Sequence, residues 1–321
     1  MRIVFHTLAG AVLAAIIYSV SAFGAEAPPA WAYPVNPPDF KPTPDDGSIR
    51  RVPGSSAGYT LTQTMDRFNA TDWHPGDYPA MPEIVARGSK PGVFACGWCH
   101  RAAGYGGPEN ANLAGLPVDY FIQQMADFKN GTRKTSVAKR GPTTLMMGLV
   151  KDITDAEVEA AAKYFASIKP KQNVRLVETD SVPKTLVAGW FLADAKTGEK
   201  EPLGQRIIEI PEDLHQFESR DPRARFIAYA PIGSIKKGEA LVTTGGGKTL
   251  PCAACHGADL KGVGVIPPIA GRSPSYMMRQ LYDIQNGARA GAGAAQMKPV
   301  VENLTVDEMT SIAAYLTTRA P

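Results

Sequence analysis

Tyr120, Phe121, Gln124, Met125 and Phe128 stand at i, i+1, i+4, i+5 and i+8, the spacing of one largely apolar helix face. Asn130-Gly131 follows and predicts the helix end there. The same face returns as Tyr276, Met277, Gln280, Leu281 and Ile284, closed by Asn286-Gly287. Thr154-Asp155-Ala156-Glu157 and Thr305-Val306-Asp307-Glu308 each set Thr three residues before Glu, the capping-box signal for a new helix. Between these helical regions the pattern changes. Runs at 174–177, 186–192, 206–210 and 226–230 are β-prone and broken by Pro, Gly and Asp, which predicts short strands.

The similarity of the two helical regions extends to a full repeat. Cys96-Gly97-Trp98-Cys99-His100 recurs 156 residues later as Cys252-Ala253-Ala254-Cys255-His256. At the same shift Asn112-Leu113-Ala114-Gly115 faces Pro268-Ile269-Ala270-Gly271, and Asn130-Gly131-Thr132-Arg133 faces Asn286-Gly287-Ala288-Arg289. Further on the shift falls to 151, aligning Met146 with Met297 and Tyr164-Phe165 with Tyr315-Leu316. The first copy therefore carries extra residues in its basic stretch 134–140. The chain holds one module twice.

Outside the repeat, Arg2 precedes an apolar run at 8–20 and then the small residues Ser21, Ala22, Gly24 and Ala25. The run is shorter than the roughly 20 residues needed to span hydrocarbon, which favours a cleaved export signal over an anchor. Residues 1–24 are expected to be that signal peptide, and the mature chain to be soluble and periplasmic. From 27 to 58 the chain is rich in Pro, Gly and Ser, so an extended or irregular arm is expected. Trp31, Tyr33 and Phe40 could anchor it to a surface, or the arm could be a plain tether.

Composition narrows the class. Hydrophobic residues make up 44% and charged ones 20%, which excludes a disordered chain and a membrane bundle. A formal net charge of +3 is too small to propose nucleic acid as partner. All 4 cysteines fall in the two repeated motifs, leaving none for a disulfide framework.

Two cysteines at i and i+3 share one face of a helical turn, with the histidine beside them. That arrangement suits thioether bonds to the two vinyl groups of a haem, with the histidine as iron ligand. A structural zinc site needs four ligands, and each repeat offers three. A thioredoxin-like dithiol belongs to a βαβ setting, whereas these surroundings are helical. The reading is covalent haem attachment at Cys96 and Cys99 and at Cys252 and Cys255, with His100 and His256 as proximal ligands. Met146 and Met297, each just before the closing helix, are the candidate sixth ligands, since a thioether raises the potential and closes the site. Met147 lies beside Met146 and could ligate instead. His74 and His215 are unrepeated and read as surface or hydrogen-bonding residues, with a sixth-ligand role only if a methionine fails.

These residues resemble class I c-type cytochromes, particularly the dihaem periplasmic cytochrome c4 family. The resemblance rests on Cys96-x-x-Cys99-His100, Asn112 to Gly115, Met146 and Tyr164-Phe165 in the first copy. In the second it rests on Cys252-x-x-Cys255-His256-Gly257, Pro267, Ile269-Ala270-Gly271, Met297 and Ala314-Tyr315-Leu316. It covers about half the chain by this reading. It implies that the Pro267 carbonyl accepts the proximal histidine's N–H, a bond that fixes the imidazole. The first copy departs from the pattern, with Ala111 at that place, Arg101 where the second has Gly257, and a shorter lead-in at Arg87-Gly88. In the second copy 237–242 looks like the family's opening helix.

The expected fold is mainly α: two tandem class I cytochrome c modules, a β-prone inter-module segment and an irregular Pro-rich N-terminal arm. The expected boundaries are 25–80 for the arm, 81–170 for the first module, 171–236 for the segment and 237–321 for the second module. The expected cofactors are two covalently bound haem c groups, and the expected function is single-electron transfer rather than catalysis. The electrons would pass from a donor dehydrogenase or respiratory complex to an acceptor such as a terminal oxidase, a reductase or another cytochrome. The rivals are a dihaem oxidoreductase, peroxidase-like or thiosulfate-oxidising, with catalysis at the first haem, or a haem subunit of a larger dehydrogenase complex. Lys134, Lys139, Arg140, Lys236 and Lys237 could guide docking to an acidic partner. The inter-module segment reads either as a brace or as a docking surface.

Overall fold

Local signals set the helix ends in both repeats. The structure is a computed structural model and describes residues 27–321; the apolar run assigned to an export signal lies outside the described residues. After α1 (Leu61–Met65) and α2 (Glu83–Ala86), the first repeat comprises α3 (Cys96–His100), α4 (Val118–Lys129), α5 (Gly141–Leu149) and α6 (Asp155–Ala166). At the start of α6, Thr154 accepts from the backbone of Glu157 while the Glu157 side chain accepts from that of Thr154. Helix α4 stops at Asn130, and Gly131 takes the left-handed turn with φ +73°. Phe121 of α4 stacks on Phe165 of α6 with ring centres 6.2 Å apart. Tyr164 Oη donates to the Ala102 carbonyl at 2.8 Å, tying α6 to the loop after the cysteine motif.

The inter-repeat segment forms strands β1 (Val174–Glu178), β2 (Ser181–Pro183), β3 (Thr185–Val187), β4 (Leu192–Asp194), β5 (Lys200–Pro202), β6 (Ile208–Pro211) and β7 (Phe226–Ala230), with α7 (Leu214–Glu218) before the last. A three-stranded sheet has the order β1-β7-β6, with β1 parallel and β6 antiparallel to β7. Strands β2 and β5, and β3 and β4, form two antiparallel pairs. The run 186–192 is thus the two arms of a turn rather than one strand. Gly189 and Trp190 reverse it with φ of +63° and +78°, and Trp190 is a residue for which propensity gives no turn signal. Phe217 of α7 packs edge-on against Phe191 and Phe226, at 4.7 and 5.2 Å.

The second repeat comprises α8 (Ser234–Thr244), α9 (Ala253–His256), α10 (Pro274–Gln285), α11 (Ala292–Val301) and α12 (Val306–Thr317). Thr305 and Glu308 form the same reciprocal cap at α12. The repeats differ at their openings, where α8 has 11 residues and α2 has 4. Helix α8 crosses α12 at Gly238, where a Cβ would stand 2.0 Å from the Ser311 carbonyl oxygen. Met278, Tyr282, Met309, Ile312 and Leu316 build the core beneath that crossing.

The Pro-rich arm is irregular, as its composition implies, and it is held down. Tyr33 is buried in the core of the second repeat, and its hydroxyl donates to Asp283 Oδ1 at 2.7 Å. Trp31 packs on the same core, while Phe40 is exposed. Farther along, Trp73 Nε1 donates to the Ser219 carbonyl at 2.7 Å, and His74 Nε2 lies 3.1 Å from Asp221 Oδ1. Both contacts join this part of the chain to the inter-repeat segment. No helix among the described residues is long and apolar enough to cross a membrane.

Candidate functional site

The two cysteine motifs have one backbone geometry. In α3 the side chains of Cys96 and Cys99 occupy a single turn, as do those of Cys252 and Cys255 around α9, and none of the four is in a disulfide. His100 and His256 are buried, and each ring is held by a carbonyl eleven residues on. His100 Nδ1 lies 2.8 Å from the Ala111 oxygen, and His256 Nδ1 lies 2.8 Å from the Pro267 oxygen. A carbonyl only accepts, so Nδ1 carries the proton in each ring and Nε2 keeps its lone pair. Ala111 and Pro267 are equivalent in the repeat, so the loop path rather than the proline ring supplies the acceptor.

Glycine makes that path possible. Gly106 N donates to the His100 carbonyl at 2.9 Å, and Gly262 N donates to that of His256 at 2.8 Å. Both glycines have positive φ, +65° and +84°. A Cβ on Gly106 would stand 2.5 Å from the Ala111 oxygen that receives His100. The same change at Gly262 would meet the Ile266 oxygen at 2.4 Å.

Burial sets the charge state of these groups. Desolvation outweighs the bond to Ala111 and holds His100 down to about 4, and it lowers His256 as well. It pushes the Cys96 thiol up to about 12 and those of Cys99 and Cys252 up to about 11. Neutral imidazoles with a free Nε2 lone pair suit an iron ligand, and protonated thiols suit thioether formation better than thiolate chemistry.

Met146 and Met147 lie on α5 and Met297 on α11, all half-buried. Met297 packs against the core of the second repeat. The candidate methionines therefore stand within helices that precede α6 and α12. Gly141-Pro142 at the start of α5 and Pro299 inside α11 shape these two helices. His74 is buried against Asp221, and His215 is exposed on α7.

The cytochrome c family model matches residues 235–320. Cytochrome c4 of Azotobacter vinelandii is 32% identical over 226 residues, covering 69% of this chain and 82% of that protein. Cytochrome c4 of Pseudomonas aeruginosa is 33% identical over 232 residues, with the same coverage of 69% and 82%. A thiosulfate dehydrogenase electron acceptor of Thiomonas intermedia is 25% identical over 229 residues, covering 70% and 79%. The chain belongs to the cytochrome c4 family. It is a dihaem class I c-type cytochrome, an electron-transfer protein with two covalently bound haem c groups.

In this cytochrome, arginines that sequence reasoning missed join the repeats near the first histidine loop. Arg272 of the second repeat donates from Nη1 to the Asn112 carbonyl at 3.1 Å and from Nη2 to that of Ala114 at 3.2 Å. Arg279 donates from Nη2 to the Pro108 carbonyl at 2.5 Å. These acceptors flank Ala111. The only sequence signal was a departure within the repeat, where Leu116 stands opposite Arg272. One expectation is corrected here. Arg140, grouped with the docking cations, is buried and donates from Nη2 to the Glu109 carbonyl at 2.9 Å. Lys134, Lys139, Lys236 and Lys237 are exposed.

Proposed function

We propose that Cys96 and Cys99 hold one haem c by thioether bonds and that Cys252 and Cys255 hold the other. His100 and His256 would be the proximal ligands, and Met146 and Met297 the distal ones. The observation that carries this reading is the twice-built histidine bond, to Ala111 and to Pro267, which leaves Nε2 of each ring as the available lone pair. The surroundings fit the group. Arg140, Arg272 and Arg289 each keep a buried Nε–H with no protein acceptor among the described residues, and haem propionates are the anions such donors suit. When bound, each haem supplies an iron that cycles between ferric and ferrous states.

The chain's own residues then do the positioning. The carbonyls of Ala111 and Pro267 hold the imidazoles, and the thioether sulfurs of Met146 and Met297, as the residues that would complete the iron site, would favour the ferrous state. The modules would be 81–170 and 237–321, with the arm 25–80 and the segment 171–236 around them. The cytochrome carries single electrons in the periplasm, after removal of residues 1–24, from a dehydrogenase or respiratory complex to an oxidase, reductase or other cytochrome. The likeness to a protein named as an electron acceptor of thiosulfate dehydrogenase supports a dehydrogenase as donor.

Haem quantitation with oxidised and reduced spectra tests the reading. Two haems per chain, each with the near-infrared band of methionine bound to ferric iron, are expected. A single haem, or a high-spin, cyanide-binding haem in the resting protein, overturns it.

A further inference from the structure

The two repeats present their cysteine motifs to solvent very differently. In the first, every residue of the loop 101–109 is buried. In the second, the equivalent loop 257–265 is mostly exposed: Ala258, Asp259, Lys261, Val263, Gly264 and Val265 all face solvent. Val263 and Val265 are each 58% exposed and, two residues apart, put adjacent apolar area on this loop beside the cysteine motif. Inside the motifs Trp98 is buried where Ala254 is exposed, and Cys99 is half-buried where Cys255 is exposed.

The cover over the first loop is the inter-repeat segment. Phe217 of α7 lies so close to Gly107, the counterpart of Val263, that a Cβ there would stand 2.8 Å from its ring. The Arg101 guanidinium stacks over Phe217 at 4.6 Å, and its Nη2 donates to the Phe217 carbonyl at 3.4 Å. Arg220 lies over the Trp98 ring at 3.7 Å, with Nη1 donating to the Trp98 carbonyl at 3.0 Å and Nε to that of Thr64 at 2.9 Å. Among the described residues no comparable cover lies on the second loop. Its Lys261 Nζ donates to a Pro321 oxygen at 3.1 Å.

We propose that 214–220 closes the thioether face of the first haem to partners and that redox proteins dock on the matching face of the second, around Cys255, Ala258, Val263 and Val265. This rests on the haem assignment above. Cys255 would bear a vinyl-derived edge of the second haem, so its exposure brings that edge to the surface, while Trp98 and Arg220 bury the corresponding edge at Cys99. The partner that fits presents an uncharged, apolar patch around its own cofactor. The charged residues of the exposed loop are Asp259 and Lys261, one of each sign, so the loop offers apolar area without net charge.

Two measurements on the holoprotein test this. In the ferric state, a neutral gadolinium chelate should broaden the hyperfine-shifted methyl signals of one haem and spare the other. Val265→Gln, which shifts signals of the haem next to it, should identify the broadened set as the second haem. Arg220→Gly, tolerated by a residue at φ +61°, should then expose the first set. In stopped flow, the double variant Val263→Gln/Val265→Gln should slow oxidation of the reduced protein by tris(phenanthroline)cobalt(III), whose ligands are apolar, several-fold. Oxidation by hexacyanoferrate(III) should change less. Equal broadening of both haems in the unaltered protein, or a double variant oxidised at the original rate, overturns the proposal. Fewer than two haems per chain by pyridine haemochrome would overturn the haem assignment itself, on a separate readout.

Discussion

Arg133 and Arg289 hold the same place in the two repeats and pair with each other across the boundary between them as an antiparallel β-bridge. Arg133 donates from Nη1 to Gln124 Oε1 at 3.0 Å and from Nη2 to the Tyr276 hydroxyl at 3.0 Å. Arg289 donates from Nη2 to the Tyr120 hydroxyl at 2.7 Å and to Gln124 Oε1 at 2.8 Å, and from Nη1 to Gln280 Oε1 at 3.1 Å. Backbone bonds run beside them, from Lys134 N to the Ala288 oxygen and from Ala290 N to the Thr132 oxygen, at 2.6 and 2.7 Å. Tyr120 with Tyr276, Gln124 with Gln280 and Arg133 with Arg289 are three pairs of equivalent residues. One duplicated patch therefore meets itself, as in the isologous interface of a symmetric dimer.

Replacing Arg289 by Ala removes donors to three side chains at once in a buried setting. The expected loss is about 2–4 kcal/mol of holoprotein stability, because the Tyr120 hydroxyl loses its arginine partner and Gln124 and Gln280 each lose one of two donors in a buried setting. Arg133→Ala should cost less, since its side chain is less buried. Because both guanidiniums donate to Gln124 and Gln280, each single variant leaves those oxygens one partner, and the double variant should lose more than the sum of the single losses. Denaturant unfolding of the three variants checks this. Strict additivity would mean that the arginines act as separate anchors.

Gly238→Ala should destabilise the second module by about 1–3 kcal/mol, because the added methyl meets the Ser311 carbonyl and Tyr315 Cβ, and neither can rotate away. Gly148→Ala in α5 is the control. Among the described residues nothing lies within 4 Å of a Cβ there, so the helix should gain a few tenths to about 1 kcal/mol. Thermal unfolding followed by circular dichroism separates the two, and equal effects would contradict the crossing geometry of α8 and α12.

Features written in a few adjacent residues were legible in the sequence. The caps at Thr154 and Thr305 and the stops at Asn130-Gly131 and Asn286-Gly287 are local backbone chemistry, and they stand where the pattern puts them. Strand β7 was legible for the same reason. Pairings between distant residues left no such mark. Nothing near Arg220 announces Trp98, nothing near Tyr33 announces Asp283, and Arg140 reads as a surface cation until the Glu109 carbonyl is placed beside it. The Pro267 acceptor was the exception: the family resemblance implied it, while Ala111, where the first copy departs from that pattern, makes the same bond. The inter-repeat segment has no second copy to compare. Its lid over the first motif therefore emerges only from the fold.

Glu209 should make stability fall as pH rises out of the acid range. It is buried on β6, where Oε2 accepts from Ser273 Oγ at 2.6 Å and from Ser275 N at 3.2 Å, while Oε1 has no partner among the described residues. Burial raises its pKa above the ordinary 4.5, against the lowering effect of those bonds and of Arg279. Below about 4.5 both folded and unfolded chains hold the proton, so the residue contributes no slope. Above it the unfolded chain releases the proton first, and folded stability declines until Glu209 itself ionises. Glu209→Gln removes that decline. Its unfolding free energy relative to the unaltered protein should improve steadily from acid to neutral pH, and a constant difference across that range would show that Glu209 stays ionised in the fold.

Met146 and Met147 are neighbours on α5, about 100° apart around the helix axis, so at most one can point at the iron that His100 is proposed to hold. The repeat favours Met146 as the proposed ligand. At the shift that aligns α6 with α12, Met297 falls on Met146, while Met147 falls on Lys298, which has no thioether. Met146→Ala should therefore abolish the near-infrared methionine–iron band of one haem, open it to cyanide and lower its reduction potential. Met297→Ala should do the same to the other haem. Met147→Ala should leave both bands in place and change only stability, through the lost packing of a half-buried side chain. If Met147→Ala removes the band and Met146→Ala does not, α5 is turned by one residue relative to α11, and the two haem sites are not built on the same register.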